Sequence, residues 1–167
     1  MAYEEAGYKV DHKGENFEIR YYEERIVIQT RYDSGNSGFR KLFNYISGQN
    51  QGEKKIEMTT PVTEVQDDNQ MVMQFYLPAR FNSSSAPLPA DNSLEIATID
   101  AGYFAVIQYS GFASNKNFYK HAQILKSSLD RDNIEISSQP IKATYDGPFT
   151  LPNLRRNEAM YLVLWDN

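Results

Sequence analysis

Cysteine is absent from the 167 residues, and histidine occurs only twice, as His12 and His121. The first absence excludes disulfide scaffolds, thiolate metal sites and thiol nucleophiles. The second leaves too few imidazoles for a multi-histidine metal site. No apolar run approaches ~20 residues, so the chain carries no pattern for a membrane-spanning helix. Basic residues are in deficit, 17 against 22 acidic ones, and the net charge of −5 argues against nonspecific nucleic-acid binding. The opening MAYEEAGYKV has neither the basic n-region nor the apolar h-region of a signal peptide. A cytoplasmic protein is the expectation. The alternative is an exported, periplasmic protein whose leader has been removed, since lack of cysteine fits both compartments.

What is present points to one folded domain over residues 1–167. Hydrophobic residues make up 41% and charged residues 23%, a balance that neither a disordered tail nor a membrane protein shows. The 9 Phe, 12 Tyr and 1 Trp favour strands. KKIEMTTPVTEV, residues 54–65, alternates with Ile56, Met58, Thr60 and Val62 on one side, the period of a strand with one buried face. Pro61 cannot donate to a ladder and sets an edge or a bulge there.

The remaining elements follow from period and punctuation. Phe17–Tyr22 alternates, Glu23–Arg25 turns, and Ile26–Tyr32 returns, which predicts a hairpin. Asp33–Asn36 offers helix-capping oxygens, and Phe39, Leu42, Phe43 and Ile46 follow at helical spacing, with Gly48 at the C-terminal glycine position. Met71–Leu77 is a strand, and residues 78–93 are a Pro-, Ser- and Asn-rich connection. The order then repeats. Strands are predicted over 94–99 and 103–109, Ser114 caps a helix marked by Phe118, Ala122, Leu125 and Leu129, and a strand follows over 141–145. The loop DGPFTLPNLRRN leads to Ala159–Trp165, apolar on both faces and therefore central. Two halves, about 17–77 and 94–165, each read strand–strand–helix–strand–strand. Neither closes a core alone. Together they predict an α+β fold: a distorted antiparallel β-barrel with two helices packed outside and a cleft for a ligand between helix and sheet.

Seven short blocks, in order, resemble the SOUL/haem-binding protein family over nearly the whole chain. They are Phe17-Glu-Ile-Arg20; Gly38-Phe-Arg-Lys-Leu42 with Tyr45-Ile-Ser-Gly48; Lys55-Ile-Glu-Met-Thr-Thr-Pro-Val62; Phe75-Tyr-Leu-Pro78; Ser110-Gly-Phe-Ala113; Tyr145-Asp-Gly-Pro148; and Arg155-Arg-Asn-Glu158. The resemblance implies a duplicated, distorted barrel and a carrier or buffer for haem or another tetrapyrrole, with no enzymatic activity. It also implies a hydrophobic cleft with a basic rim along the first helix and under the last long loop. On this chain those positions are Phe39, Arg40, Phe43 and Asn44 on the helix, and Phe149, Leu151, Leu154 and Arg155 in the loop. Read by periodicity alone, Phe39 and Phe43 face the sheet core, while Arg40, Lys41 and Asn44 form the solvated face.

Some members of that family carry a histidine after the Ile-Arg pair, where this chain has Tyr21. Tyrosinate ligates ferric haem in other proteins, yet Tyr21 alternates in phase with Phe17 and Ile19 and so faces a core. His12 falls in a polar DHKGEN turn and His121 on the second helix, where packing or capping is expected. The expected cofactor is therefore a non-covalent haem without histidine ligation. Burial of the plate at ~25 cal/mol per Å² suffices for micromolar affinity after association costs. A monomer whose partner is a tetrapyrrole or other amphiphilic small molecule is expected. The alternative is a small-molecule effector-binding module of similar duplicated build, without enzymatic activity and, lacking a helix-turn-helix, unable to read DNA alone. Glu57 and Tyr145 are acid–base candidates, but no spaced nucleophile–base motif accompanies them.

Overall fold

The computed structural model describes residues 3–33 and 37–166. The capping positions Ser34, Gly35 and Asn36 lie outside the described residues. In chain order the elements are β1 (Glu4–Glu5), β2 (Tyr8–Lys13), β3 (Glu18–Tyr22), β4 (Arg25–Tyr32), α1 (Ser37–Ile46), β5 (Thr59–Thr60), β6 (Val62–Asp67), β7 (Gln70–Tyr76), β8 (Leu94–Ile99), β9 (Gly102–Tyr109), α2 (Asn115–Arg131), β10 (Glu135–Ile136), β11 (Ile141–Thr144), a 3₁₀ turn (Pro152–Leu154) and β12 (Asn157–Leu164). This is an α+β protein whose chain divides into two compact units. The first holds residues 1–6 and 24–100, the second residues 7–23 and 101–167.

In the first unit the sheet runs β6–β7–β4–β8, every pair antiparallel. The β6–β7 hairpin closes on Asp68–Asn69, with Asp67 opposite Gln70 and Asp68 at φ 55°. A left-handed residue is what gives a two-residue hairpin loop the twist of its strands, and Asp tolerates it. β1 lies parallel to β5 at Glu4–Thr59. The core joins Ile26 and Ile28 of β4, Met73 and Phe75 of β7, and Leu42, Tyr45 and Ile46 of α1. Gly48 stands just past α1 with φ 125°, and its N–H donates to Tyr45 O at 3.2 Å, the chain stop expected there.

The second unit pairs β2–β3–β9–β12–β11 in antiparallel order, with β10 also on β12. β12 has partners along both sides, as its two apolar faces predict. α2 packs Phe118, Ala122, Leu125 and Leu129 onto Ile19, Ala105, Ile107, Ala159 and Tyr161. Its cap is as expected, Ser114 Oγ accepting from Asn117 N at 3.1 Å.

Two expectations fail. The 17–22 and 26–32 strands are not a hairpin: β3 pairs with β2 and β9, and β4 pairs with β7 and β8. Glu23–Glu24 lacks the Gly or Asn that a tight hairpin turn uses, and the chain passes from one unit to the other there. The Lys54–Val65 run is also not one strand with a single buried face. β5 and β6 are separated at a cis Thr60–Pro61 bond, and Thr59, Pro61 and Thr63 are buried although they sit on the side read as polar. Thr59 and Thr63 hydroxyls reach Tyr76 O and Gln74 Oε1, so hydroxyls enter the interior by finding acceptors.

Candidate functional site

α1 carries more apolar surface than its sheet covers. Leu42, Tyr45 and Ile46 are buried, but Phe39 and Phe43 are 41% and 49% exposed. The reading of these two as core residues is therefore overturned, because a helical face at i, i+3, i+4 and i+7 spans a wide arc and only its centre meets β4 and β7. The two phenylalanine rings stack, their centroids 6.2 Å apart and their planes 13° from parallel. Phe39 also sets its edge on Phe75, 5.1 Å away at 68°, which ties the exposed pair to the core. Arg40 is exposed and Asn44 half-buried beside them. Lys41 Nζ donates to Ser93 Oγ at 3.1 Å. Hydrogen bonds from Ser93 hold the Asp91 carboxyl below its ordinary pKa. The result is a solvent-facing aromatic surface, with the exposed Arg40 next to Phe39 in the chain.

A second exposed apolar surface lies in the second unit, on the loop between β11 and β12. Phe149 is 98% exposed, Leu151 62% and Leu154 67%. The backbone beneath them is braced. Arg155 Nε donates to Thr150 O at 3.0 Å and Nη2 to Pro148 O at 2.9 Å. Arg156 N donates to Asp146 Oδ2 at 2.6 Å, and Gly111 N to Pro152 O at 2.8 Å. Arg155 thus places two of its donors on the loop's own carbonyls.

Beneath that loop sits a buried ionic cluster that sequence reasoning missed. Glu158 is fully buried and receives Arg20 in bidentate fashion, Nη1 to Oε1 at 2.9 Å and Nη2 to Oε2 at 2.8 Å. Tyr145 donates to Oε1 at 2.5 Å, and Arg156 reaches Oε2 at 3.1 Å while stacking over the Tyr145 ring. Arg20 also meets Glu18 and the Tyr22 hydroxyl, and lies 4.0 Å over the Tyr8 ring. Burial alone would lower the Arg20 pKa, but its bonds to Glu158 reverse that and hold it well above the ordinary value. Burial, reinforced by the Glu158 charge, drives the Tyr145 hydroxyl far upward. Arg20 is thereby held as a cation and Tyr145 as a neutral phenol. No local signal marked it: in FEIRYY, Arg20 alternates with Ile19 onto the side read as polar, and nothing nearby names Glu158. The other acid–base candidate, Glu57, is exposed and paired with Arg80 at 2.5 Å, which lowers its pKa.

A family model described as SOUL heme-binding protein matches residues 3–162. The chain belongs to the SOUL heme-binding protein family. Among relatives of the SOUL chain, heme-binding protein 1 of Xenopus laevis is 26% identical, over 92% of this chain and 87% of its own length. Heme-binding protein 2 of Homo sapiens is 26% identical, over 89% and 78%. Solved structures with the same fold include the C-terminal domain of EcmrR, at TM-score 0.63 and 16% identity, covering 94% of this chain and 98% of that one. An uncharacterized conserved protein from Listeria innocua follows at 0.64 and 7%, covering 89% and 92%. A third is SAV2435 bound to tetraphenylphosphonium, at 0.52 and 10%, covering 89% and 93%.

For a SOUL protein the question is what would hold a haem. Phe39 and Phe43 offer exposed apolar surface, and Arg40 an exposed cation next to Phe39 in the chain. The candidate axial residues pack against neighbouring rings. His121 stacks on Tyr109, 4.0 Å away and 3° from parallel, and its Nδ1 lies 2.8 Å from Asn117 O, the packing role expected. His12 is not in a solvated turn: it belongs to β2, half-buried, with its ring 4.9 Å from Trp165. Tyr21 is partly buried with its ring 5.1 Å from Tyr103. Among the described residues no three His, Asp or Glu side chains gather into a metal site.

Proposed function

We propose that this SOUL protein binds haem or a related tetrapyrrole, non-covalently and without histidine ligation, as a carrier or buffer. The observation that carries the reading is the Phe39–Phe43 pair left in solvent on α1 of a chain in the SOUL heme-binding family. Its relatives are named heme-binding proteins 1 and 2. The macrocycle lies on the two rings, Arg40 meets a propionate and Asn44 offers an amide. The propionate–Arg40 pair, exposed to water, adds only about 0–1 kcal/mol, so plate burial sets the affinity. Bound haem would bring iron redox and ligand chemistry; the residues of α1 hold and orient the plate. Phe149, Leu151, Leu154 and Arg155 are proposed as a further set of haem contacts, to be tested on their own, with Arg155 contributing less because two of its donors already serve the loop.

Catalysis is not part of the proposal. Tyr145 is held protonated, and Glu57 is paired with Arg80 in the open. Action as a monomer, apart from nucleic acid, accords with the net charge of −5. The effector-module alternative draws support from fold alone, through neighbours at 10–16% identity.

Hemin titration tests the reading. A saturable, shifted Soret band is expected, and Arg40→Glu with Phe43→Ala weakens it. Unchanged binding by a folded double variant removes the α1 site. Binding of tetraphenylphosphonium with no Soret change would instead support the effector module.

A further inference from the structure

The braced loop of the second unit presents apolar side chains outward from a fixed backbone. Phe149, Leu151 and Leu154 stand in solvent along one loop, and Phe112 joins them at 67% exposure. Phe112 is held beside the loop by its neighbour, since Gly111 N donates to Pro152 O and Gly111 O accepts from Asn157 Nδ2 at 3.0 Å. Asn117 Nδ2, in the first turn of α2, donates to Phe112 O at 3.0 Å, so the patch continues into that helix. Large exposed apolar patches on otherwise polar proteins mark contact surfaces. Side chains standing out from a ridge suit a medium that can flow around them more than a preformed protein groove.

The charge beside the patch points to the same medium. In a chain of net charge −5, residues 101–129 contain no Asp or Glu, while supplying Lys116, Lys120 and Lys126. Lys116 and Lys120 are exposed on the first turns of α2, next to the Phe112 segment. The loop's one acid, Asp146, already accepts from Arg156 N, and Glu158 is buried between two arginines. We propose that this apolar ridge with its lysine flank docks the protein on an anionic lipid surface. The side chains enter the headgroup boundary and the lysines meet lipid phosphates and carboxylates. The inference does not depend on haem binding at α1, and it competes with the loop's proposed haem contacts for Phe149, Leu151 and Leu154, so hemin is left out of the test.

The test is co-sedimentation of the full chain, without hemin, with phosphatidylcholine vesicles and with vesicles also containing phosphatidylserine. Partition into the anionic vesicles is expected, weakening as salt is raised. Phe149→Ser with Leu151→Ser and Leu154→Ser should reduce it by on the order of tenfold for each large side chain removed. Lys116→Glu with Lys120→Glu should abolish the preference for anionic vesicles, and arginine substitution at the same two positions should keep it. A Phe149→Trp reporter, which leaves the ridge apolar, should show blue-shifted indole emission on anionic vesicles. Absence of partition, partition unchanged in the triple serine variant, or no emission shift from the reporter overturns the proposal. So does lipid-independent self-association that the triple variant abolishes, which would assign the ridge to protein contact.

Discussion

The two units solve the same problem, burying polar groups on the sheet face turned away from the helix, in opposite ways. The first unit uses a neutral ladder. Thr63 Oγ1 donates to Gln74 Oε1 at 2.8 Å, Gln74 Nε2 to Gln29 Oε1 at 2.9 Å, and Gln29 Nε2 to Glu95 Oε1 at 2.7 Å, crossing four strands in register. It reaches a formal charge only at the exposed end. The second unit buries charge itself, Arg20 against Glu158. The helices differ in degree: α2 buries Phe118, Ala122, Leu125 and Leu129 and leaves Tyr119 and Ile124 partly in solvent, whereas α1 leaves out two phenylalanines of its apolar face. A neutral ladder tolerates loss of a rung at the cost of unpaired partners, while half an ion pair leaves a charge in the interior. Two units each built of one helix and an antiparallel sheet therefore need not share energetics, and the proposed haem face belongs to the first of them.

The comparison can be broken most directly at Glu158. Glu158→Ala leaves Arg20 buried with only Glu18 and Tyr22, and about 3–5 kcal/mol of unfolding free energy should be lost in urea titration. A loss below that from Gln74→Ala is expected, about 1–3 kcal/mol; equal losses would dissolve the distinction between the units. For the helices, Leu125→Ala should cost about 2–5 kcal/mol. Phe43→Ala, half in solvent, should cost much less while weakening hemin binding. Each unit also holds a buried tyrosine, Tyr45 and Tyr109, whose hydroxyl burial pushes up to about 12. The folded state then keeps a proton that the unfolded chain releases near pH 10. Stability present below pH 10 falls as pH rises towards 12, by about 1 kcal/mol for each tyrosine between pH 9 and 11. Unfolding of Tyr45→Phe and Tyr109→Phe at both pH values separates the two contributions. Smallest of all, Tyr21→Phe should leave hemin affinity nearly intact; loss of a tyrosinate charge-transfer band would make Tyr21 an iron ligand.

Much of the architecture was legible because it rests on local pattern. α2 follows from Phe118, Ala122, Leu125 and Leu129 together with the Ser114 cap, and β12 from a run apolar on both faces. The candidate site was legible only in part. The family blocks singled out Phe39 and Phe43, while the helical period assigned them to the core, and the period failed because it measures the width of a stripe and not what covers it. The Arg20–Glu158 pair was out of reach: the partners stand 138 residues apart, and no local rule joins them.

The sequence by itself determined the two helices, most of the longer strands, and which chemistries the lack of cysteine and scarcity of histidine rule out, since each of these depends on neighbours within a few residues. Tertiary structure alone decided that β3 and β4 part company, that two phenylalanines of α1 stay in water, and that an arginine is neutralised inside the second unit. Strand pairing, coverage and charge compensation depend on groups distant along the chain, whose meeting is set by register and packing.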